Sequence, residues 1–229
     1  MTPTLIACSH GTGDPAGRAA ITAQIDLIRA ALPGTPVAHA FVDVEEPAID
    51  DVVGRCVADG PVVVVPLLLS TGFHTNVDIA RAVAAHPTRA VAAPALGPHP
   101  LLAEVLHDRL VQSGAGVRDA VVLAAAGSSD PAAAVDVREM AAMLAQRRGA
   151  EVSIGFAAGA GPRIADAVQE ARRDLHARVA IASYVLAPGH FARVIARGGG
   201  DLVTAPLAPD PRIAALAVER FEAAARRLP

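Results

Sequence analysis

The sequence predicts an α/β protein of two homologous domains, each a small parallel sheet flanked by helices. Short apolar runs alternate with amphipathic stretches throughout the 229 residues, which is typical of strands joined by helical crossovers. Hydrophobic residues make up 52% of the chain but aromatic residues only 3%. The core must therefore come from Ala, Val, Leu and Ile, as in layers of helices on Val-rich strands. Finally, features of the first half recur in the second.

Apolar runs and helical patterns alternate along the whole chain. The predicted strands cover 4–9, 36–42, 62–69, 89–93, 120–125, 151–157, 178–185 and 201–205. The predicted helices cover 16–32, 47–59, 76–85, 101–113, 132–148, 162–175, a short segment at 191–197, and 212–228. Three prolines, Pro47, Pro162 and Pro211, lie near predicted helix starts, where proline is tolerated.

The chain is an internal repeat. The pair Asp14-Pro15 recurs as Asp130-Pro131, and His74 recurs as His190, both 116 positions later. Phe41 recurs as Phe156 at an offset of 115. Matching features in the same order at nearly constant spacing predict two domains, at 1–115 and 116–229. The boundary lies in the polar stretch 112–119.

The first half carries a polar set that the second half has lost. The residue matching His10 is Ala126. The acidic group of the first half becomes small and apolar, since Asp43, Glu45 and Glu46 are replaced by Ala158, Ala160 and Gly161. We therefore expect the functional site in domain 1–115, with 116–229 a degenerate copy.

Charge and cysteine content exclude several classes of protein. The net charge of −3 argues against a nucleic-acid partner or an anionic membrane surface. No apolar run approaches the ~20 residues of a membrane span. Two cysteines make no disulfide framework, and Cys8 lies in an apolar run as a buried, inert thiol. Without a recognisable signal peptide, we expect a cytoplasmic protein, monomeric or weakly dimeric.

Three candidate metal ligands follow three predicted strands. His10 ends the first strand, Asp43 the second, and His74 lies beyond the third. The carboxyl ends of parallel strands share one edge, where ligands of open α/β sheets bind. In the strand order 2-1-3-4, His10 and His74 flank the switch point. Two imidazoles and a carboxylate suit Fe²⁺, Co²⁺, Ni²⁺ or Zn²⁺. The alternative is that each histidine makes ordinary loop hydrogen bonds.

The glycine-containing run after His10 also allows a different interpretation. The run Gly11-Thr12-Gly13 with Asp43 resembles a dinucleotide fingerprint and supports a nucleotide-binding oxidoreductase as an alternative. The match is weak because the third glycine comes one residue late and Pro15 interrupts the turn. Arg81, shortly after His74, is a candidate contact for an anionic ligand.

Four motifs of this chain match those of one known protein family. The family's strand followed by His-Gly-Ser/Thr matches 9–12, and its Ala-Phe-Leu-Glu-x-x-x-Pro-x-Ile matches 40–49. Its Val-Val-Pro-Leu run leading to Gly-x-His-x-x-x-Asp-Ile matches 64–79, and its Leu-Gly-Pro-His-Pro matches 96–100. Over nearly its whole length the chain therefore resembles the sirohydrochlorin and cobalt chelatases of the CbiX and SirB type. The resemblance implies the fold of two chelatase-like domains facing each other across a cleft, with the metal site in 1–115 and 116–229 as the cleft wall. One departure is Asp43, which stands where the family has glutamate.

The resemblance implies a function and a set of roles. It implies ATP-independent insertion of Fe²⁺ or Co²⁺ into sirohydrochlorin, in siroheme or cobalamin biosynthesis, with the metal as substrate and no organic cofactor. His10 and His74 would be metal ligands and catalytic residues, with Asp43 or Glu46 as the carboxylate. Further substrate contacts are expected from Gly11, Thr12, Glu46, Arg81 and His190. A non-catalytic tetrapyrrole or metal carrier of the same fold is the other alternative.

Overall fold

The computed structural model describes residues 2–72, 74–174 and 178–228. Within these residues strands alternate with helices, as predicted. The strands are β1 (Thr4–Ser9), β2 (Val37–Phe41), β3 (Val62–Pro66), β4 (Ala90–Ala92), β5 (Ala120–Ala125), β6 (Val152–Phe156), β7 (Val179–Tyr184) and β8 (Leu202–Val203). The helices are α1 (Pro15–Ala31), α2 (Ile49–Asp59), α3 (Ala80–Ala84), α4 (Pro100–Gln112), α5 (Pro131–Arg148), α6 (Ile164–Asp174), α7 (His190–Ala196) and α8 (Pro211–Ala225). A π-helical turn, His74–Ile79, precedes α3.

The strands form two four-stranded parallel sheets with the same order. The first sheet runs β2-β1-β3-β4 and the second β6-β5-β7-β8. This confirms the predicted α/β class, and the first sheet has the strand order on which the expected position of the switch point depends. Ala7 pairs with His39 on one side of β1 and with Val65 on the other. The order places the switch point between β1 and β3, so the loops after these strands flank it.

Strand β1 is buried on both faces, as expected of a central parallel strand. One face carries Ile6 and Cys8, which join a core cluster with residues of α2 and α3. Burial and, to a lesser extent, the charge of Asp78 raise the pKa of the Cys8 thiol to about 12. The thiol is therefore protonated and unreactive at neutral pH, in agreement with the prediction.

The compact units of the structure divide the chain differently from the sequence repeats. One unit comprises Met1–Leu96 together with Pro209–Pro229, and the other is Gly97–Ala208. The last helix of each repeat thus belongs to the unit built around the other repeat's sheet. In the first unit α8 contacts α1, where the backbone N–H of Asp210 donates to Oε1 of the buried Gln24 at 2.8 Å.

Equivalent arginines bind each exchanged helix to the loop after the fourth strand. In the first unit, Arg220 of α8 donates to the carbonyl oxygens of Ala95 and Leu96 at 3.1 and 3.3 Å. In the second unit, Arg109 of α4 donates to those of Pro206 and Leu207 at 3.2 and 3.0 Å. The predicted boundary near residue 115 separates the two sequence repeats. The compact units have other limits because these contacts bind the last helix of each repeat to the other repeat's sheet.

Several elements differ in length from the predicted ones. Strand β3 ends at Pro66 rather than at residue 69, and a proline has no N–H to continue a ladder. The predicted helix 76–85 is a π-helical turn from His74 followed by the short α3. In the parts of the chain that the structure describes, no helix has both the length and the apolar character needed to cross a membrane.

Candidate metal site

His10 and Asp43 are neighbours at the carboxyl edge of the first sheet. The pairing of β1 with β2 continues beyond both strands, since the Val42 N–H donates to the Ser9 carbonyl at 3.0 Å. The Asp43 N–H then donates to the His10 carbonyl at 3.2 Å. The backbone therefore holds these two predicted ligands side by side. Asp43 is exposed and His10 is partly buried.

Gly11 permits this close approach. Its φ is +92°, in the region that favours glycine. A Cβ at this position would overlap the carbonyl oxygen of Asp43 and lie 3.1 Å from the Glu45 nitrogen. The glycine that was predicted as a substrate contact thus has a defined structural role: it lets the loop after β1 lie against the loop after β2.

The tautomer of His10 is indicated by its own loop. Its Nδ1 lies 3.3 Å from the Gly11 carbonyl oxygen, to which only a protonated ring nitrogen can donate. In the neutral imidazole with this arrangement, Nε2 carries the lone pair. A lone pair of this kind is what a neutral imidazole uses to bind a metal ion or to accept a proton.

A salt bridge and two hydrogen bonds join the two loops through Thr12, Arg18 and Glu45, which we call the clamp. The sequence did not predict these contacts. Glu45 accepts a hydrogen bond from the Thr12 N–H at 2.7 Å and pairs with the Arg18 guanidinium at 2.8 Å. Arg18 also donates to the Thr12 carbonyl at 3.0 Å. The sequence did carry a signal, because the second repeat has Ala160 and Ala134 in place of Glu45 and Arg18.

The three acidic side chains of the loop after β2 have different contacts. Oδ1 of Asp43 accepts from the N–H of Val44 at 2.8 Å, within the loop. Oε2 of Glu46 accepts from the N–H of Ala48 at 2.7 Å, at the start of α2. Glu45 is bound by the Thr12 N–H and the Arg18 guanidinium. These contacts leave Asp43 as the carboxylate whose backbone is held against His10.

Three further residues predicted for the site are His74, Arg81 and His190. The backbone of His74 begins the π-helical turn after β3, while its side chain lies outside the described residues. Arg81 pairs with Asp50 at 2.7 Å and with Asp78 at 3.4 Å, and the Asp50 contact raises its pKa. His190 is exposed at the start of α7 in the second unit, edge-on to Phe191.

No cluster of three or more His, Cys, Asp or Glu side chains suited to a metal ion occurs among the described residues. That search includes His10 and Asp43 but not the side chain of His74. The assignment of His10, Asp43 and His74 as ligands therefore stays a prediction.

A second histidine of the first sheet, His39, was not singled out from the sequence. Its Nε2 lies 2.9 Å from Oγ of the buried Ser9, and its ring packs against Phe41 at 4.2 Å. Burial lowers the pKa of His39 below its usual 6.5, and Arg29 adds to this, whereas Glu45 opposes it. The second repeat has Ala125 and Ile154 instead of Ser9 and His39.

The depressed pKa of His39 predicts a loss of stability in acid. The folded state binds the proton less readily than the unfolded state, so the stability is fully present above about pH 6.5 and falls as the pH drops below it. His39→Gln retains a hydrogen-bonding amide for Ser9 and removes the titration. We expect the thermal midpoint of the wild type to fall more steeply than that of the variant between pH 7 and pH 5. Parallel curves for the two proteins would contradict this account.

Comparison with known proteins extends over both halves of the chain. A model of the CbiX family matches residues 4–113 and 120–224. The sirohydrochlorin ferrochelatase of Priestia megaterium is 28% identical over 160 residues, which are 65% of this chain and 60% of that protein. This chain therefore aligns with less than two thirds of the length of that relative.

Solved structures share the fold. SirB from Bacillus subtilis with Fe³⁺ has a TM-score of 0.82 at 23% identity, covering 97% of this chain and 95% of that one. The sirohydrochlorin chelatase SirB from Bacillus subtilis subspecies spizizenii, in complex with cobalt, has a TM-score of 0.79 at 22% identity and covers 97% and 94% of the two chains. At these identities the similarity shows only the fold, and it agrees with the predicted class of two α/β domains.

Proposed function

The chain belongs to the CbiX family, and from this premise we propose that it inserts a divalent metal ion, Fe²⁺ or Co²⁺, into sirohydrochlorin without ATP. The product would serve siroheme or cobalamin biosynthesis. The observation that carries the proposal is the juxtaposition of His10 and Asp43 at the sheet edge, joined by the 3.2 Å backbone hydrogen bond. An imidazole and a carboxylate side by side are suitable donors for these ions.

Metal insertion requires two things of the protein. The divalent ion must be held with open coordination positions, and the two pyrrole N–H protons must leave as the ion enters the macrocycle. Nε2 of His10 is suited to either task, as a ligand or as a proton acceptor. The Asp43 carboxylate balances the charge of the ion. We assign the third donor to His74, at the loop on the other side of the switch point.

The arrangement favours Asp43 over the neighbouring glutamates as the carboxylate donor. Glu45 is bound by Thr12 and Arg18. Asp43 and Glu46 each accept one backbone N–H, from Val44 and Ala48, so Asp43 is favoured by its backbone hydrogen bond to His10. The aspartate has a shorter side chain than the family's glutamate, and the backbone hydrogen bond to His10 brings it close to the proposed ligand. Glu46, Thr12, Arg81 and His190 remain proposed substrate contacts.

Paired amide variants test which carboxylate binds the metal. Asp43→Asn keeps an oxygen that accepts from the Val44 N–H but removes the charge, so we expect its KM for Co²⁺ to rise by about tenfold or more. Glu46→Gln is the matched control for metal binding, in which we expect the KM for Co²⁺ to change by less than about twofold. If Glu46→Gln has the larger effect, Glu46 is the ligand and the assignment of Asp43 is wrong.

The activity itself is tested by the visible spectrum of sirohydrochlorin. The macrocycle is incubated with Co²⁺, Fe²⁺ or Ni²⁺ and protein at a few per cent of the substrate concentration. We expect complete conversion to the metallated spectrum at a rate well above that without protein. Conversion limited to one equivalent per protein would indicate the carrier function instead. Binding of NAD(P) in a titration would support the oxidoreductase alternative.

A further inference from the structure

Val44 has an unusual backbone conformation beside the proposed metal site. Its φ is +60°, and among the described residues it is the one non-glycine with a positive φ. For a β-branched residue this conformation is a genuine outlier. The side chain is nevertheless 58% exposed, so packing in the core does not account for it. It directly follows Asp43, and a Cβ on Gly11 would lie 3.3 Å from that of Val44.

The second repeat provides an internal comparison. The residue equivalent to Val44 is Gly159, with a φ of +76°. The backbone around it is also equivalent, since the Ala158 N–H donates to the Ala126 carbonyl at 2.9 Å, as Asp43 does to His10. At this turn of the second repeat glycine is required by close packing, since a Cβ on Gly159 would overlap the Ser128 carbonyl oxygen. The first repeat instead places a valine there, in a conformation that is costly for it.

The surroundings of Val44 hold the conformation in place. Its N–H donates to Oδ1 of Asp43 at 2.8 Å, and the Glu45 N–H donates to the Asp43 carbonyl at 2.6 Å. On the other side of Val44, the Glu45 side chain is fixed by Thr12 and Arg18. The second repeat has alanine in place of both Arg18 and Glu45. These contacts therefore occur in the repeat that has valine at this turn and not in the repeat that has glycine.

We propose that Val44 is a substrate-contacting residue whose exposed side chain packs on the apolar face of the tetrapyrrole, beside His10 and Asp43. The inference rests on the proposed function and adds a binding contact to it. A tetrapyrrole carries its carboxylates at the rim, while the face of the conjugated ring is apolar. The other groups assigned to the site are polar or charged. An apolar side chain fixed next to the metal donors would seat the ring over them.

Two variants separate binding from stability. Val44→Gly relieves the backbone, so we expect a thermal midpoint equal to or above that of the wild type. It also removes the contact, so we expect the Kd for metal-free sirohydrochlorin, measured by absorbance titration, to rise about tenfold. Val44→Thr keeps the side-chain shape but makes it polar, and we expect a rise of about fivefold. Val117→Thr, at a valine that is 85% exposed in the loop before β5, is the control and should leave the Kd unchanged.

The outcomes distinguish this inference from the proposed function. If the wild type inserts metal and both Val44 variants bind sirohydrochlorin within about twofold of it, Val44 is not a substrate contact and only this inference is overturned. If the wild type binds sirohydrochlorin but does not turn over, the chelatase proposal fails, and the Kd values of the variants still decide the role of Val44. If the wild type does not bind sirohydrochlorin, both are overturned.

Discussion

Replacing His10 by alanine is expected to lower the rate of metal insertion by about 100-fold or more while leaving the fold intact. The loss follows from removing the imidazole that we assign to holding the ion and accepting a pyrrole proton. The second repeat shows why the fold should tolerate the change. It has Ala126 at this position and keeps the same backbone hydrogen bond to the neighbouring loop.

The measurement is the initial rate of the absorbance change with Co²⁺, together with the thermal midpoint of each protein. The midpoint of His10→Ala should match that of the wild type, and free imidazole should restore part of the rate. His39→Gln is a suitable control, because His39 lies within β2 and contacts Ser9 rather than the loop after β1. A His10→Ala protein that inserts metal at a near wild-type rate would refute the assignment.

Replacing Gly11 by alanine is expected to reduce both stability and activity. At a φ of +92° an L side chain is strained, and the added Cβ would overlap the Asp43 carbonyl oxygen. We expect a fall of at least about 2 kcal/mol in the free energy of unfolding. To accommodate the methyl group the two loops must separate, which displaces His10 from Asp43. We therefore expect kcat to fall on the order of 10- to 100-fold.

Gly13→Ala is the matched control for this prediction. Gly13 lies two residues further along the same loop, and a Cβ there would meet nothing within 4 Å. We expect it to change the free energy of unfolding by less than about 0.5 kcal/mol and to retain activity. Chemical denaturation of the two variants gives the comparison. Equal stabilities for Gly11→Ala and Gly13→Ala would show that the close approach of the loops is not important.

The internal duplication makes both predictions sharper. The turn after the first strand of each repeat has the same local contacts, since Asp14 and Asp130 each donate their N–H to the hydroxyl of the residue two positions earlier. Each aspartate also caps the following helix. The turn is therefore scaffold shared by the two halves. The residues that differ between them, His10 above all, are those that we assign to function.

The sequence by itself determined the fold class and the repeat, and its motifs carried the resemblance to the family. These properties follow from local periodicity, from glycine and proline positions and from motif spacing, which depend on short stretches of chain. It also predicted that His10 and Asp43 lie at one edge, because the ends of parallel strands align. The motif match left the choice between Asp43 and Glu46 open.

Only the tertiary structure decided which residues hold the site in shape. The Thr12–Arg18–Glu45 clamp joins residues 33 positions apart, and the contact between Gln24 and Asp210 spans 186. The exchange of α4 and α8 between the compact units likewise depends on contacts distant in sequence. Periodicity reports which face of an element is apolar but not which partner covers it, so these pairings and the conformation of Val44 emerged only from the folded chain.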